Sequence, residues 1–293
     1  MPEPVGAISR MFLPERICGI AARCGAVGLV IPVSARVSWI ILDKSENSCC
    51  NKASTGIKIA FALNKVQMNN RSVVKMLEHQ GVKVTWLGHD GFRIEDGQVI
   101  YIDPFKIDGV TKKASIILIS HEHFDHCSID DLKKITTPDT VVVAHAQSKS
   151  ELSKLKVKEV RIVKPGESLD VNGVKVQTVA AYNVNKFREP GKVFHPKEDG
   201  KLGFIVTVKG VRIYHAGDSD HIPEMKGINP DIALLPVSGK YVMTVQEAVE
   251  AANSIKPKMA IPMHYDAIVG SAKDAEEFKK LAKCDVTILQ KEH

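Results

Sequence analysis

Residues 114–128, "ASIILISHEHFDHCS", join two unlike halves. The first is a continuous apolar run without polar alternation, the pattern of a strand covered on both faces. The second crowds His121, His123, Asp125 and His126 into six positions. Polar groups that dense at the end of a buried strand carry a desolvation cost unless something binds them. The H-x-H spacing can aim two imidazoles at one point. The turn that follows lets Asp125 and His126 reach a second point nearby. Imidazoles and carboxylates together suit Zn2+, with Mn2+ or Fe2+ as alternatives for a mixed N/O ligand set. The plainer reading is a polar loop capping the helix at Ser128, which fits a lone histidine better than three.

Outward from this stretch the pattern is of strands first in runs and then alternating with helices. "VKVTWLG" (82–88), "GFRIED" (91–96) and "QVIYIDP" (98–104) are β-branched or aromatic runs separated by turn residues, and read as a meander. "SIDDLKKI" (128–135) reads as a short helix with acids in its first turn and lysines near its end. A strand at 140–145 and a helix at 146–155 follow. Strands are then expected at 157–163, 173–183, 201–210, 211–217 and 231–237. Thr244 and Glu247 form a T-x-x-E capping box that opens the helix "VQEAVEAANSI". A strand at 258–265, an amphipathic helix at 271–283 and a strand at 285–290 complete the chain. Such an order predicts two packed sheets with helices outside, an α/β sandwich. His121, Asp218 and His264 all fall at expected strand ends, where the loops of α/β folds gather chemistry.

Composition narrows the function classes. The 293 residues are 44% hydrophobic and 25% charged, ordinary for a soluble globular protein. Residues 1–67 hold eight Lys/Arg, four Asp/Glu and none of the eleven histidines, so the remainder has 32 basic and 30 acidic residues. That balance of +2, with aromatic content of 5%, gives little support for a nucleic-acid surface. Four of the six cysteines lie in the first fifty residues, with no paired framework, which fits a reducing cytoplasmic location. The apolar stretch 26–42 contains Pro32 and Arg36 and makes a poor membrane span or secretory signal. Residues 1–67 are read as an N-terminal extension, non-native or loosely ordered, or as a transit peptide. The domain proper is read as 68–293, starting at Met68.

"SHEHFDH" matches the H-x-H-x-D-H motif of the metallo-β-lactamase superfamily, and the likeness runs on over residues 82–293. "WLGHDGFRI" and "YIDP" resemble the family's opening strands, and "HPKEDGKLGF" a later segment that supplies a histidine. "YHAGD" resembles the segment with its bridging aspartate. "LPVSGKYVMTVQEAVEAA" and "PMHYD" look like the branch of ascorbate-6-phosphate lactonase-like and other small hydrolases. The resemblance implies a four-layer αββα sandwich. It implies a first metal site of His121, His123 and His195, and a second of Asp125, His126 and His264, with Asp218 bridging the two. Where the family often has its third histidine this chain has Tyr182 and Asn183, so His195 stands twelve residues late, and His145 is its rival. His215 is expected beside the metals, orienting a carboxylate or the substrate.

The activity implied is hydrolysis of a small ester, lactone or phosphoester by a hydroxide shared between two divalent ions, with Asp125 and Asp218 positioning them. Basic residues in 185–197 could grip a phosphate, or could belong to a solvated loop. The competing readings are a phosphodiesterase or nuclease of the same fold and a non-catalytic metal-binding regulator. His89 is expected at a hairpin turn, lining the pocket or shaping the turn. Asp103 is expected to orient a ligand or cap the turn at Pro104, His221 to lie on the surface, and Cys127 to be an inert buried thiol. Oligomeric state is not legible.

Overall fold

The structure is a computed structural model that describes residues 74–110 and 112–292. The extension read over residues 1–67 and the start at Met68 lie outside the described residues. The first sheet takes its strands in chain order: β1 (Leu77–His79), β2 (Val82–Gly88), β3 (Gly91–Glu95), β4 (Val99–Ile102), β5 (Ile116–Ile119), β6 (Val141–His145) and β7 (Glu159–Val163). Helix α1 (Ile129–Ile135) links β5 to β6, and the short α2 (Lys149–Leu152) links β6 to β7. The chain then passes to β8 (Ser168–Val171), β9 (Val174–Ala180), a separate hairpin of β10 (Phe187–Glu189) and β11 (Lys192–Val193), β12 (Leu202–Val208) and β13 (Val211–His215). It ends with β14 (Ile232–Pro236), α3 (Val245–Ile255), β15 (Met259–Met263), α4 (Ala272–Leu281) and β16 (Asp285–Val286). The second sheet is ordered β16-β15-β14-β13-β12-β9-β8.

Each sheet repeats one grammar. Its first four strands pair antiparallel and its last three add in parallel, each behind a connection too long for a hairpin. The apolar run that opened the sequence reading explains the layers. In β5, Ile116 and Leu118 enter the core between the sheets, while Ile117 and Ile119 pack against Leu132 and Ile135 of α1. β6 does the same, with Val141 and Val143 on one face and Val142 and Ala144 on the other. A strand with both faces dry needs a continuous apolar sequence. Ala248, Ala251 and Ile255 of α3 and Phe278 of α4 are fully buried with the second sheet's core. The order helices–sheet–sheet–helices is the αββα sandwich. The Thr244–Glu247 capping box forms on α3 as expected, with Glu247 N donating to Thr244 Oγ1. Helix α2 is a single turn after a 3-10 turn, shorter than the 146–155 expected, β16 is two residues rather than 285–290, and β1, β8 and the β10–β11 hairpin were not anticipated.

This topology brings the strand ends to one rim. β5 runs parallel to β4, and β4 antiparallel to β3, so the β2–β3 turn lies on the same edge as the carboxyl ends of β4 and β5. In the second sheet β13, β14 and β15 are parallel and end together. Backbone bonds tie the two rims: Leu202 N donates to Ser120 O at 3.1 Å, and His264 N to His89 O at 3.0 Å.

Candidate metal centre

Three nitrogens meet first. His121 Nε2 lies 3.0 Å from His123 Nδ1, and His195 Nε2 lies 3.4 Å from the same atom. Asp218, one turn beyond β13, puts Oδ2 3.5 Å from His195 Nε2 and 4.0 Å from His121 Nε2. Its other oxygen faces elsewhere: Oδ1 is 3.4 Å from His126 Nε2 and 3.5 Å from His264 Nε2. His126 and His264 in turn gather with His89 and Asp90 into a second group.

The inner histidines share one arrangement. Nδ1 of His121 lies 2.9 Å from Ser120 Oγ, and Nδ1 of His264 lies 2.9 Å from Ser238 Oγ. His126 Nδ1 donates to Asp103 Oδ2 at 2.9 Å, and His195 Nδ1 to Asn183 Oδ1 at 2.9 Å. Each ring is thereby oriented with Nε2 toward the others, the arrangement of metal-ligating imidazoles. Asp103 also accepts from Ser120 N and Ser120 Oγ, so it orients His126 from behind rather than capping a turn.

A divalent ion fits these residues on their own chemistry. His126 Nε2, Asp218 Oδ1 and both oxygens of Asp90 are buried without a hydrogen-bond partner among the described residues. Such groups carry a large desolvation cost unless a cation compensates them. The electrostatics point the same way. Burial pushes the Asp218 carboxyl up, but His126, His264 and His195 overcome this and hold it well below the usual carboxylate range. Burial lowers His264, and Asp218 and Asp90 more than reverse that, raising it to about 9. His195 is pushed down to about 4, chiefly by burial.

The remaining expected residues fall in varied places. Asp125 lies outside these groups: His89 Nε2 donates to its Oδ2 at 3.1 Å, and that oxygen is 3.9 Å from His126 Nε2. Burial raises the Asp125 carboxyl, and the His89 bond together with the charges of His126 and His89 outweighs it, giving about 2. His145 is not among the clustered nitrogens. Its Nε2 donates to Asp199 O at 2.7 Å, and its Nδ1 faces Glu122 Oε2 at 3.5 Å. Glu122 also takes a 2.7 Å bond from the buried Lys201. His215 spends both nitrogens on backbone: Gly217 N donates to Nδ1, and Nε2 donates to Asp90 O at 2.9 Å. Both nitrogens are thus engaged by backbone, and the second bond holds the β2–β3 turn that carries Asp90. Cys127 is buried and its thiol is raised by burial to about 12, in keeping with an inert role. His89 shapes the turn at φ 52° and lines a cavity of about 570 Å3 with Trp86, Phe105, Lys106 and Tyr265, which none of His121, His123, His126, His195, Asp218 and His264 lines.

Sequence reasoning missed Asp90 and the role of Asn183. Asp90 had a signal, an acid beside His89 in a turn between two strands that end at the rim. Asn183 sits where the resemblance placed a histidine. Its Oδ1 accepts from both His195 N at 3.0 Å and His195 Nδ1, so it tethers the histidine twelve residues on. Asp220 anchors the same loop, accepting from Val184 N and Asn185 N.

Comparison with known proteins agrees with this architecture. The Beta-lactamase superfamily domain profile matches residues 83–264. A UPF0173 metal-dependent hydrolase of Thermoplasma acidophilum is 34% identical over 214 residues, covering 69% of this chain and 92% of the relative. One from Pyrococcus furiosus is 35% identical over 231 residues, covering 71% and 96%. Among solved structures, a candidate metal-dependent hydrolase from Parabacteroides distasonis is 30% identical with a TM-score of 0.61, covering 73% of this chain and 98% of that one. Igni18, a metallo hydrolase from Ignicoccus hospitalis, shares the fold at 23% identity and a TM-score of 0.58, covering 72% and 96%.

Proposed function

Because the chain belongs to the beta-lactamase superfamily, we propose that it is a metal-dependent hydrolase that works with two divalent ions, Zn2+ first among them, on a small ester or lactone. The observation that carries the two-ion reading is Asp218, whose oxygens face separate groups of nitrogens 3.4–4.0 Å away. Ions held there would activate a water at neutral pH and polarise the scissile bond. His121, His123 and His195 would hold one ion, and His126 and His264 the other. Asp218 stays ionised and supplies the negative charge between them. Ser120, Asp103, Asn183 and Ser238 fix the rings in the orientation that keeps each Nε2 inward.

Phosphoesters stand beside carboxylic esters and lactones as candidate substrates. In the basic loop 185–197, Lys186 meets Asp220 and Glu247, Lys192 meets Glu189, and Lys197 meets Glu224. Each of these lysines has an acidic partner, while exposed Arg188 of the same loop has none among the described residues. Among the described residues no helix is long and apolar enough to cross a membrane. The test is a screen of lactones, carboxylic esters and phosphoesters with zinc-loaded full-length protein, followed by Asp218→Ala on any substrate found. Turnover that depends on zinc and disappears in the variant is expected; undiminished turnover in the variant would refute the reading.

A further inference from the structure

We propose that Asp90 is a metal ligand, its carboxylate completing the second metal position with His126, His264 and Asp218 Oδ1. The inference rests on the centre being a metal site and goes beyond it in assigning the position's second carboxylate.

Three observations converge on Asp90. First, its Oδ2 is 3.6 Å from His126 Nε2 and 4.0 Å from His264 Nε2, while Asp218 Oδ1 is 3.4 and 3.5 Å from the same two atoms. Ligand bonds of about 2.0–2.1 Å at tetrahedral angles set donor atoms roughly 3.3–3.4 Å apart. Three of these separations, 3.4, 3.5 and 3.6 Å, are close to that spacing, and the Asp90 to His264 separation of 4.0 Å is wider. Second, the carboxyl is fully buried, and neither oxygen has a hydrogen-bond partner among the described residues. Two carboxylates and two imidazoles that face one another at 3.4–4.0 Å with no hydrogen bond formed among them make a poor structural network but a good cation site. Third, the fold fixes the carboxyl in place. Trp86 Nε1 donates to His89 O at 2.9 Å, His264 N donates to the same oxygen, and His215 Nε2 donates to Asp90 O. The turn is tight as well, since a Cβ at Gly91 would meet Gly88 O at 3.1 Å. Buried His215 thus acquires a purpose as the positioning residue of this ligand. Asp125, the aspartate of the H-x-H-x-D-H motif, is meanwhile engaged by His89.

The test is zinc binding by the full-length chain, without substrate. Stoichiometry after equilibrium dialysis and affinities from chelator competition are compared for the unaltered protein, Asp90→Asn and Asp90→Leu. The unaltered protein should take up two ions. Both variants should keep one, with the second weakened more than about 100-fold, beyond what loss of a residue behind a ligand causes. Metal-free melting separates this from a structural role. Removing an unpaired buried carboxylate should leave the metal-free Tm of at least one variant no lower than that of the unaltered protein, while the zinc-induced rise shrinks. Co2+ absorption should lose the component of the second ion. Two ions bound with unaltered affinity in Asp90→Asn would overturn the assignment and leave the metal centre standing. So would a lowered metal-free Tm in both variants with zinc binding intact. An unaltered protein that binds no zinc would overturn both this inference and the proposed function.

Discussion

Replacing Asn183 with alanine should detach His195 from the centre. The residue gives His195 two hydrogen bonds, one to its backbone nitrogen at 3.0 Å and one to Nδ1 at 2.9 Å. The second also sets the tautomer, because an amide oxygen can only accept, which keeps the proton on Nδ1 and the lone pair on Nε2. Each bond contributes about 0.5–1.5 kcal/mol net, so the pair contributes about 1–3 kcal/mol to holding the ring. If that energy appears in metal affinity, the first ion weakens by roughly 5- to 150-fold. The assay is zinc competition against a chromogenic chelator with the full-length variant, read for each ion, alongside circular dichroism to show that the fold persists. The loss should fall on one ion only, because His126 and His264 have their own supports, Asp103 and Ser238. Unchanged affinity for both ions in a folded variant would mean that Asn183 does not hold a ligand, and the tether would have to be abandoned.

Further outcomes follow from the same geometry. His145→Gln should keep full zinc content by elemental analysis yet unfold at lower urea, by about 1–3 kcal/mol for a lost buried hydrogen bond; His195→Gln should lose zinc. Zinc affinity should rise with pH up to about 9, because His264, raised to about that value by Asp218 and Asp90 against the effect of burial, must lose its proton before Nε2 can bind an ion. Titration calorimetry at pH 7 in buffers of different ionisation enthalpy should therefore show proton release. In the metal-free protein the sign is opposite. The stability that protonated His264 contributes is complete below about pH 6.5 and is lost as pH rises through about 9, so the metal-free Tm should fall across that window while the zinc-induced rise grows.

The sequence by itself determined the layers and most of the nitrogens. Whether a strand has one dry face or two is written in consecutive residues, so "SIILIS" was readable as a strand buried on both faces and "TVVVAH" as a strand. The H-x-H-x-D-H run is likewise local, and placed His121, His123 and His126 at a strand end. The short β8 and the β10–β11 hairpin escaped because two to four residues carry too little periodicity to read. What only the tertiary structure decided is which polar groups share the centre. Asp90 meets His264 across more than 170 residues, Asn183 takes hold of a histidine twelve residues on, and Asp125 turns to His89. The physical reason is that the rim is assembled from the ends of strands in both sheets. A carboxylate's role there depends on whether a donor satisfies it or leaves it bare, and that depends on neighbours brought in by the packing of distant segments, about which the residues on either side carry no information.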